Sequence, residues 1–429
     1  MDRIEINRAK WFKGEFSPTP DKSISHRAII FSSLSEGKSV IQNFLKAEDP
    51  ISTVNAFRVL GVDIDDKADG VIVSGCGIHG LKEPHNVIDC GNSGTTIRML
   101  SGVLSGNLFF SVLTGDKSLR GRPMARVVTP LRQMGAQIMA RADDRYPPLA
   151  IRGRKLKPIR YDMPFASAQV KSAIILAGLY ADGTTEIREP ARSRDHTERM
   201  LPAFGAEITV DGLSVRVRGG KELRGTEVYV PGDFSSAAFF IVGALLIGDS
   251  DITIKGVGIN PTRTGLLDAL KEMGATIEID NIRTLSGEPV ADINCKGGAE
   301  LTAIAITKEK IPALIDEFPI LCVAATQAKG TTTIRGAEEL RVKESDRIRS
   351  MATELRKMGA EIEEFEDGLS IRGRSELKGA FIESYGDHRI AMATAMAGLI
   401  ADGTTTINGV SAVNISFPGF FEIIRRLAS

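Results

Sequence analysis

The chain repeats itself six times, and no other property of the sequence limits its fold as tightly. A phrase of the form apolar-Gly-Ala/Val-x-Ile recurs as LGVDI at Gly61, MGAQI at Gly135, FGAEI at Gly205, MGATI at Gly274 and MGAEI at Gly359, with a period of about 70 residues. A second phrase, a glycine turn opening a β-branched run, recurs as EGKSVI, SGNLFFSV, DGTTEI, GDSDITI, KGTTTI and DGTTTI, near Gly37, Gly106, Gly183, Gly248, Gly330 and Gly403. The first phrase suits the end of an amphipathic helix, where glycine takes the left-handed conformation, and the second suits a turn into a strand. Because two independent phrases keep step, each unit reads as helix, strand, helix and two strands, and the fold class is α/β. In the second unit SGTTIRMLSGVLS is expected to be a buried helix and FFSVL a strand; RPMARVVTPLRQMG is expected to be an amphipathic helix, and AQIMAR and PPLAIRG a strand pair.

Length and charge narrow the function by exclusion. At 429 residues the chain needs two or more domains or one repeated architecture. Lysine plus arginine equals aspartate plus glutamate at 54 each, so there is no electrostatic case for a nucleic-acid or membrane-surface partner, and anion binding must be local. Cys76, Cys90, Cys295 and Cys322 form no CxxC pair, which argues against a zinc site or a redox dithiol and for a reducing compartment. The opening MDRIEINRAKWFKGEF lacks an apolar export region, and no run of about 18 apolar residues follows, so the expected location is the cytoplasm. No GxxxxGK[ST], GxGxxG or GxSxG motif occurs, which removes the usual support for nucleotide hydrolysis, dinucleotide redox chemistry and serine hydrolysis.

Each unit also carries an apolar helix with a polar first turn: PDKSISHRAII, CGNSGTTIRML, FASAQVKSAII, PGDFSSAAFFIV, IDEFPILCVAA and YGDHRIAMATA. Ser, Asn or Asp there caps orphan N–H groups, and the macrodipole suits the same end to a phosphate or carboxylate. Capping does not explain Lys22, Arg27, Arg98, Lys171 and Arg389, since a cation in the first turns opposes the dipole; a ligand supplying negative charge does. Two further basic segments are TGDKSLRGRPM, with Lys117, Arg120 and Arg122, and ELRVKESDRIRS, with Arg341, Lys343 and Arg347. The second interleaves Glu344 and Asp346. By itself it fits a solvated helix face with i,i+4 pairs as well as an acid/base group beside an anion clamp.

Taken in order, PDKSISHRA, GNSGTTIRML, GDKSLRGRPM, ASAQVKSA, the IDE of IPALIDEFP, RVKESDR, GDHRIAMA and SFPGFF resemble the motif set of the 5-enolpyruvylshikimate-3-phosphate synthase family, from about residue 5 to about residue 425. The resemblance implies a two-domain inside-out α/β barrel of six βαβαββ repeats, three per domain, with pseudo-threefold symmetry. One discontinuous domain would comprise 1–20 plus 233–429 and the other 21–232, with the active site in a cleft that closes on its substrates. The implied reaction moves the enolpyruvyl group of phosphoenolpyruvate to the 5-hydroxyl of shikimate 3-phosphate by addition and elimination, with no cofactor, no metal and no nucleic-acid or membrane partner, in a monomer that glyphosate inhibits.

The resemblance also implies roles. Lys22, Asp316 and Glu344 would handle protons. Lys22, Asn92, Gly94, Arg122, Gln169, Arg347, His388 and Arg389 would bind phosphoenolpyruvate. Lys22, Ser23, Arg27, Ser167, Ala168, Gln169, Ser193, Arg194, Asp316 and Lys343 would bind shikimate 3-phosphate. The chain departs from the family pattern at Ala168, where a second serine is expected, at Arg194, where a tyrosine is expected, at Glu339 in place of an asparagine, and at Ile415 in place of a lysine. A related family that uses UDP-N-acetylglucosamine as acceptor would place a cysteine at Lys117. No role is expected for His26, His79, His85 or His196.

Overall fold

The structure, a computed structural model, describes residues 2–68 and 70–428. The chain divides into two compact units. One comprises Pro20–Pro231 with Thr284–Glu288, and the other Met1–Thr19, Gly232–Arg283 and Pro289–Ser429.

In the Pro20–Pro231 unit three helices form the interior: α1 (Lys22–Ser33), α2 (Gly94–Ser105) and α3 (Ala168–Gly178). Their apolar residues are covered on every side, as in IILAG of α3, so they lack the one-sided stripe of a surface helix. Helix α2 packs against both others. At its crossing with α3 a Cβ on Gly102 would lie 2.2 Å from the carbonyl oxygen of Ala173, so only glycine permits the approach. Around the helices lie three sheets of one pattern. Ser35–Gln42 runs parallel to Leu223–Arg224 and Glu227–Tyr229 and antiparallel to Gly70–Cys76, which pairs with Asp63–Lys67. Phe110–Thr114 sits likewise between Ile88–Asp89 and Tyr146–Arg152, with Gln137–Ala140 outermost. Thr184–Arg188 sits between Arg160–Asp162 and Ser214–Arg218, with Glu207–Asp211 outermost. Burial alternates along these strands: Val215 and Val217 face the core and Arg216 and Arg218 face water.

The other unit has its own three interior helices, α4 (Phe234–Leu246), α5 (Phe318–Gln327) and α6 (His388–Gly398), which all touch one another. Two of its sheets follow the same order, centred on Asp249–Gly258 and Thr331–Ile334. In the third, Thr405–Asn408 pairs in parallel with Phe381–Glu383 and antiparallel with Arg3–Ile6 from the start of the chain.

The punctuation follows the chemistry of the sequence phrases. Gly61, Gly135, Gly205, Gly274 and Gly359 all have φ between +87° and +106°. Each donates its N–H three residues back while the next residue bonds five back, as in Gly61 to Arg58 and Val62 to Phe57, which is the Schellman closure. Of the strand-opening glycines, Gly37, Gly183, Gly330 and Gly403 have positive φ, whereas Gly106 and Gly248 do not. Gly106 is needed for space, because a Cβ there would sit 2.3 Å from Cγ of Tyr180; nothing in the structure requires glycine at 248. Side chains cap five of the six interior helices: Asp21, Ser93, Ser167, Asp233 and Asp387 each accept a backbone N–H of the first turn. Helix α5 has Pro319 in its first turn instead, which presents no N–H to satisfy. The helix expected over 122–135 spans only Ala125–Gln133, since Pro123 holds Arg122 extended at ψ 138°. Among the described residues no helix is long and apolar enough to cross a membrane.

Candidate functional site

The residues singled out in the sequence fall into one polar cluster in each unit. In the Pro20–Pro231 unit the opening of α2 is the centre. A Cβ on Gly94 would lie 3.0 Å from one terminal nitrogen of Arg98 and 3.2 Å from one of Arg122, so two guanidinium groups flank the bare backbone of the first helical turn. The loop and helix residues around them fix both cations. Arg122 donates to Oδ1 of Asn92 at 2.6 Å and to Ser118 at 3.2 Å, and Asn92 in turn donates to Asp116 at 2.6 Å. Arg98 donates to Oε1 of Gln169 in the first turn of α3, and Gln169 donates to Thr95 at 2.9 Å. Two cations so close, at the positive end of a helix dipole, suit this helix opening to an anion.

Lys22, the first residue of α1, pairs with Asp49 at 3.0 Å. One turn on, His26 shares a hydrogen with Thr53 at 2.6 Å, and Thr53 continues to Thr96 at 2.7 Å and to the Ser93 cap, so α1 is tied to the α2 opening by a buried chain of hydroxyls. Burial, helped by Lys22 and Arg27, holds His26 well below the usual histidine range, which keeps it neutral. Arg27 is buried with its donors on the Ser23 carbonyl (3.0 Å), Ser172 (2.9 Å) and Thr197 (2.8 Å); desolvation pulls it down to about 10 against the opposing field of Glu198 and Asp21. Ser193 donates to Glu189, while Arg194 beside it is half-buried. Ser167 serves as the cap of α3, and Ala168 offers no polar side chain. Lys117 is exposed, and Arg120 donates to the Gly115 carbonyl at 2.7 Å. His79 lies edge-on to Tyr180. His196 lies 2.7 Å from Glu288, and His85 is exposed.

In the other unit Arg347 is the hub. Its guanidinium bonds Asp387 at 2.9 Å, Glu344 at 2.7 Å and Asp316 at 3.3 Å. It is 1% exposed; burial opposes its charge, yet Asp387, Glu344 and Asp316 outweigh that and hold the guanidinium charged above its ordinary range. The sequence expectation made Arg347 a simple anion grip, and here three carboxylates already share it. Arg389 donates to the Asp316 carbonyl at 2.8 Å and lies 3.5 Å from its carboxylate and 3.8 Å from Glu317. Lys343 is lowered to about 8, by desolvation first and by Arg347 next, against the pull of Asp316, Glu344 and Glu339. A lysine poised there exchanges a proton near neutral pH. His388 is buried at the start of α6, directly after the Asp387 cap. Ile415 is half-buried in the Val410–Ile415 turn, so no lysine charge enters from that segment.

Sequence reasoning gave Asp387 only as a helix cap and missed Asp49, Glu189 and Thr197. The last three lie 27, 18 and 170 residues from their partners Lys22, Lys171 and Arg27, and no local pattern marks them.

The model of the family described as EPSP synthase (3-phosphoshikimate 1-carboxyvinyltransferase) matches residues 6–424. A protein of Thermodesulfovibrio yellowstonii called 3-phosphoshikimate 1-carboxyvinyltransferase is 56% identical over the full length of both chains, and one of the same name from Geobacter sp. strain M21 is 54% identical over 99% of each. The solved EPSP synthase of Acinetobacter baumannii superposes with a TM-score of 0.88 at 48% identity, covering 100% of this chain and 98% of its own. The enolpyruvyl transferase NikO from Streptomyces tendae, at 18% identity and a TM-score of 0.80, shares the fold.

Proposed function

The chain belongs to the EPSP synthase family, and from that premise we propose that it transfers the enolpyruvyl group of phosphoenolpyruvate to the 5-hydroxyl of shikimate 3-phosphate, releasing phosphate. The observation that carries this reading is the pair of guanidinium groups, Arg98 and Arg122, that flank Gly94. Asn92 and Gln169 hold those two guanidinium groups, and Lys22 is the further cation proposed for a small, doubly charged donor. Arg347, His388 and Arg389 are the corresponding donor-binding groups of the other cluster, with Arg347 also aligning Glu344 and Asp316. Ser23, Arg27, Ser167, Ala168, Gln169, Ser193, Arg194, Asp316 and Lys343 serve the acceptor, with Arg194 supplying charge where Ala168 lacks a hydroxyl.

In the addition step the 5-hydroxyl attacks C2 of phosphoenolpyruvate, gives up its proton to a carboxylate of the Asp316 and Glu344 set, and C3 takes a proton from the Lys22 or Glu344 side. Elimination reverses the C3 proton transfer and expels phosphate onto the cations. Positioning and charge neutralisation supply the rate. The same reading takes the fold as an inside-out α/β barrel of six βαβαββ repeats in two domains, closing on its substrates, and the protein as a cytoplasmic monomer that works without metal or cofactor. The UDP-N-acetylglucosamine reading is disfavoured by Lys117, where that chemistry calls for a cysteine.

The test is phosphate release by purified protein given phosphoenolpyruvate with either acceptor. Release is expected with shikimate 3-phosphate and none above background with UDP-N-acetylglucosamine; the reverse pattern overturns the reading. Gly94→Ala is a second expected result. Its methyl meets only the ends of two flexible arginines, so the fold survives, whereas displaced cations raise the KM for phosphoenolpyruvate about 10-fold. Glyphosate is expected to inhibit the parent protein and to inhibit the variant less, in a titration against fixed phosphoenolpyruvate. Inhibition absent well above the phosphoenolpyruvate requirement refutes that part.

A further inference from the structure

Lys171 lies in the first turn of α3, where a cation opposes the helix dipole, yet it is 1% exposed and therefore out of reach of any ligand. Its ammonium is held by two buried carboxylates from different elements: Glu189, just beyond the Thr184–Arg188 strand, at 2.8 Å, and Glu198, on the short His196–Met200 helix, at 2.6 Å. Taking three charges out of water is costly, and well-packed apolar side chains of similar volume often give equal or greater stability, so a buried triad needs a reason other than stability. Glu198 shows the cost. Burial raises it above the ordinary carboxylate range despite Lys171, and its Oε2 has no hydrogen-bond partner.

What the triad holds is Ser193. The Ser193 hydroxyl donates to Oε1 of Glu189, whose Oε2 takes Lys171, and the Ser193 carbonyl faces the same ammonium at 3.5 Å. Both the side chain and the backbone of one residue are therefore fixed by one ion cluster, and the next residue is Arg194. On the far side Glu198 adjoins Thr197, which receives the guanidinium of Arg27 and bonds Ser172, so the same cluster abuts the acceptor residues of α1.

We infer that Lys171, Glu189 and Glu198 are positioning residues that lock the Ser193–Arg194 segment onto the start of α3, so that Arg194 is presented as the cation for the acceptor's phosphate. The Ser193 hydroxyl donates to Glu189, so Ser193 serves the acceptor by holding Arg194 in place. The phosphate is left to Arg194 and the α3 opening, and their mutual placement matters most where Ala168 supplies no hydroxyl. This rests on the proposed acceptor.

The decisive variant is the triple Lys171→Met, Glu189→Met and Glu198→Met, which keeps side-chain volume while removing the charges and is expected to melt no lower than the parent. Shikimate 3-phosphate binding, measured by calorimetry, is expected to weaken about 10- to 100-fold, and its KM to rise with it, while the KM for phosphoenolpyruvate stays within about twofold. Backbone amides of residues 191–195 are expected to exchange at least about 10-fold faster than in the parent, a readout that needs no ligand. A stable triple variant with unchanged acceptor affinity and unchanged exchange overturns the inference. If the parent itself binds no shikimate 3-phosphate, the functional reading fails, and the exchange at 191–195 alone decides whether the triad positions this segment.

Discussion

Lys22→Ala is expected to leave a folded protein that turns over shikimate 3-phosphate at least about 100-fold more slowly, the scale of a general acid/base or electrostatic group. The fold is expected to hold, because Lys22 opposes the dipole at the first position of α1. Its partner Asp49 lies in the first turn of the Glu48–Val59 helix, where a carboxylate is favoured. With its side chain 16% exposed, Lys22 is reachable by substrate in a way that Lys171 is not. Glu344→Ala is expected to behave alike: its carboxylate is also 16% exposed, and its removal leaves Arg347 paired with Asp316 and Asp387. Steady-state rates beside thermal melts check both, and near-normal turnover in either variant refutes the role of that residue.

Arg347→Met is expected to act on stability as strongly as on rate. The substitution strands Asp387, 0% exposed, and leaves Asp316 and Glu344 without their shared cation. Breaking a buried pair from one side costs about 3–5 kcal/mol, so the denaturation midpoint is expected to fall sharply. Denaturation midpoints of the variant and the parent check this, and an unchanged midpoint would show that Asp387 is not the stranded charge.

Local chemistry accounts for what the sequence disclosed. A Schellman closure needs glycine at one position and a cap needs a short polar side chain, so Gly61 and its four counterparts, and Asp21, Ser93, Ser167, Asp233 and Asp387, announce helix ends without any knowledge of packing. Gly106 shows where that logic stops, since its glycine answers to the ring of Tyr180, 74 positions away in the chain, and not to its own φ. The clusters behave the same way. Which residues carry charge was legible, but which charges meet was not: Arg27 reaches Thr197 across 170 residues, Arg98 reaches Gln169 across 71 and Arg347 reaches Asp387 across 40. A lysine inside a helix opening, as at 171, looks like a ligand-facing cation until burial shows it enclosed by two glutamates.

The borrowed edge strands set an order for synthesis of the chain. Residues 20–231 can seal their first sheet once Leu223–Tyr229 has emerged, 187 positions after the strand it joins, while the remainder is still unmade. Arg3–Ile6 has no such early partner: it waits for Thr405–Asn408, and Asn7 meets Thr404 across 397 positions. At translation rates of about 5–20 residues per second, Arg3–Ile6 stays unpaired for roughly 20–80 seconds, an open edge that the nascent polypeptide must shield until Thr405–Asn408 arrives.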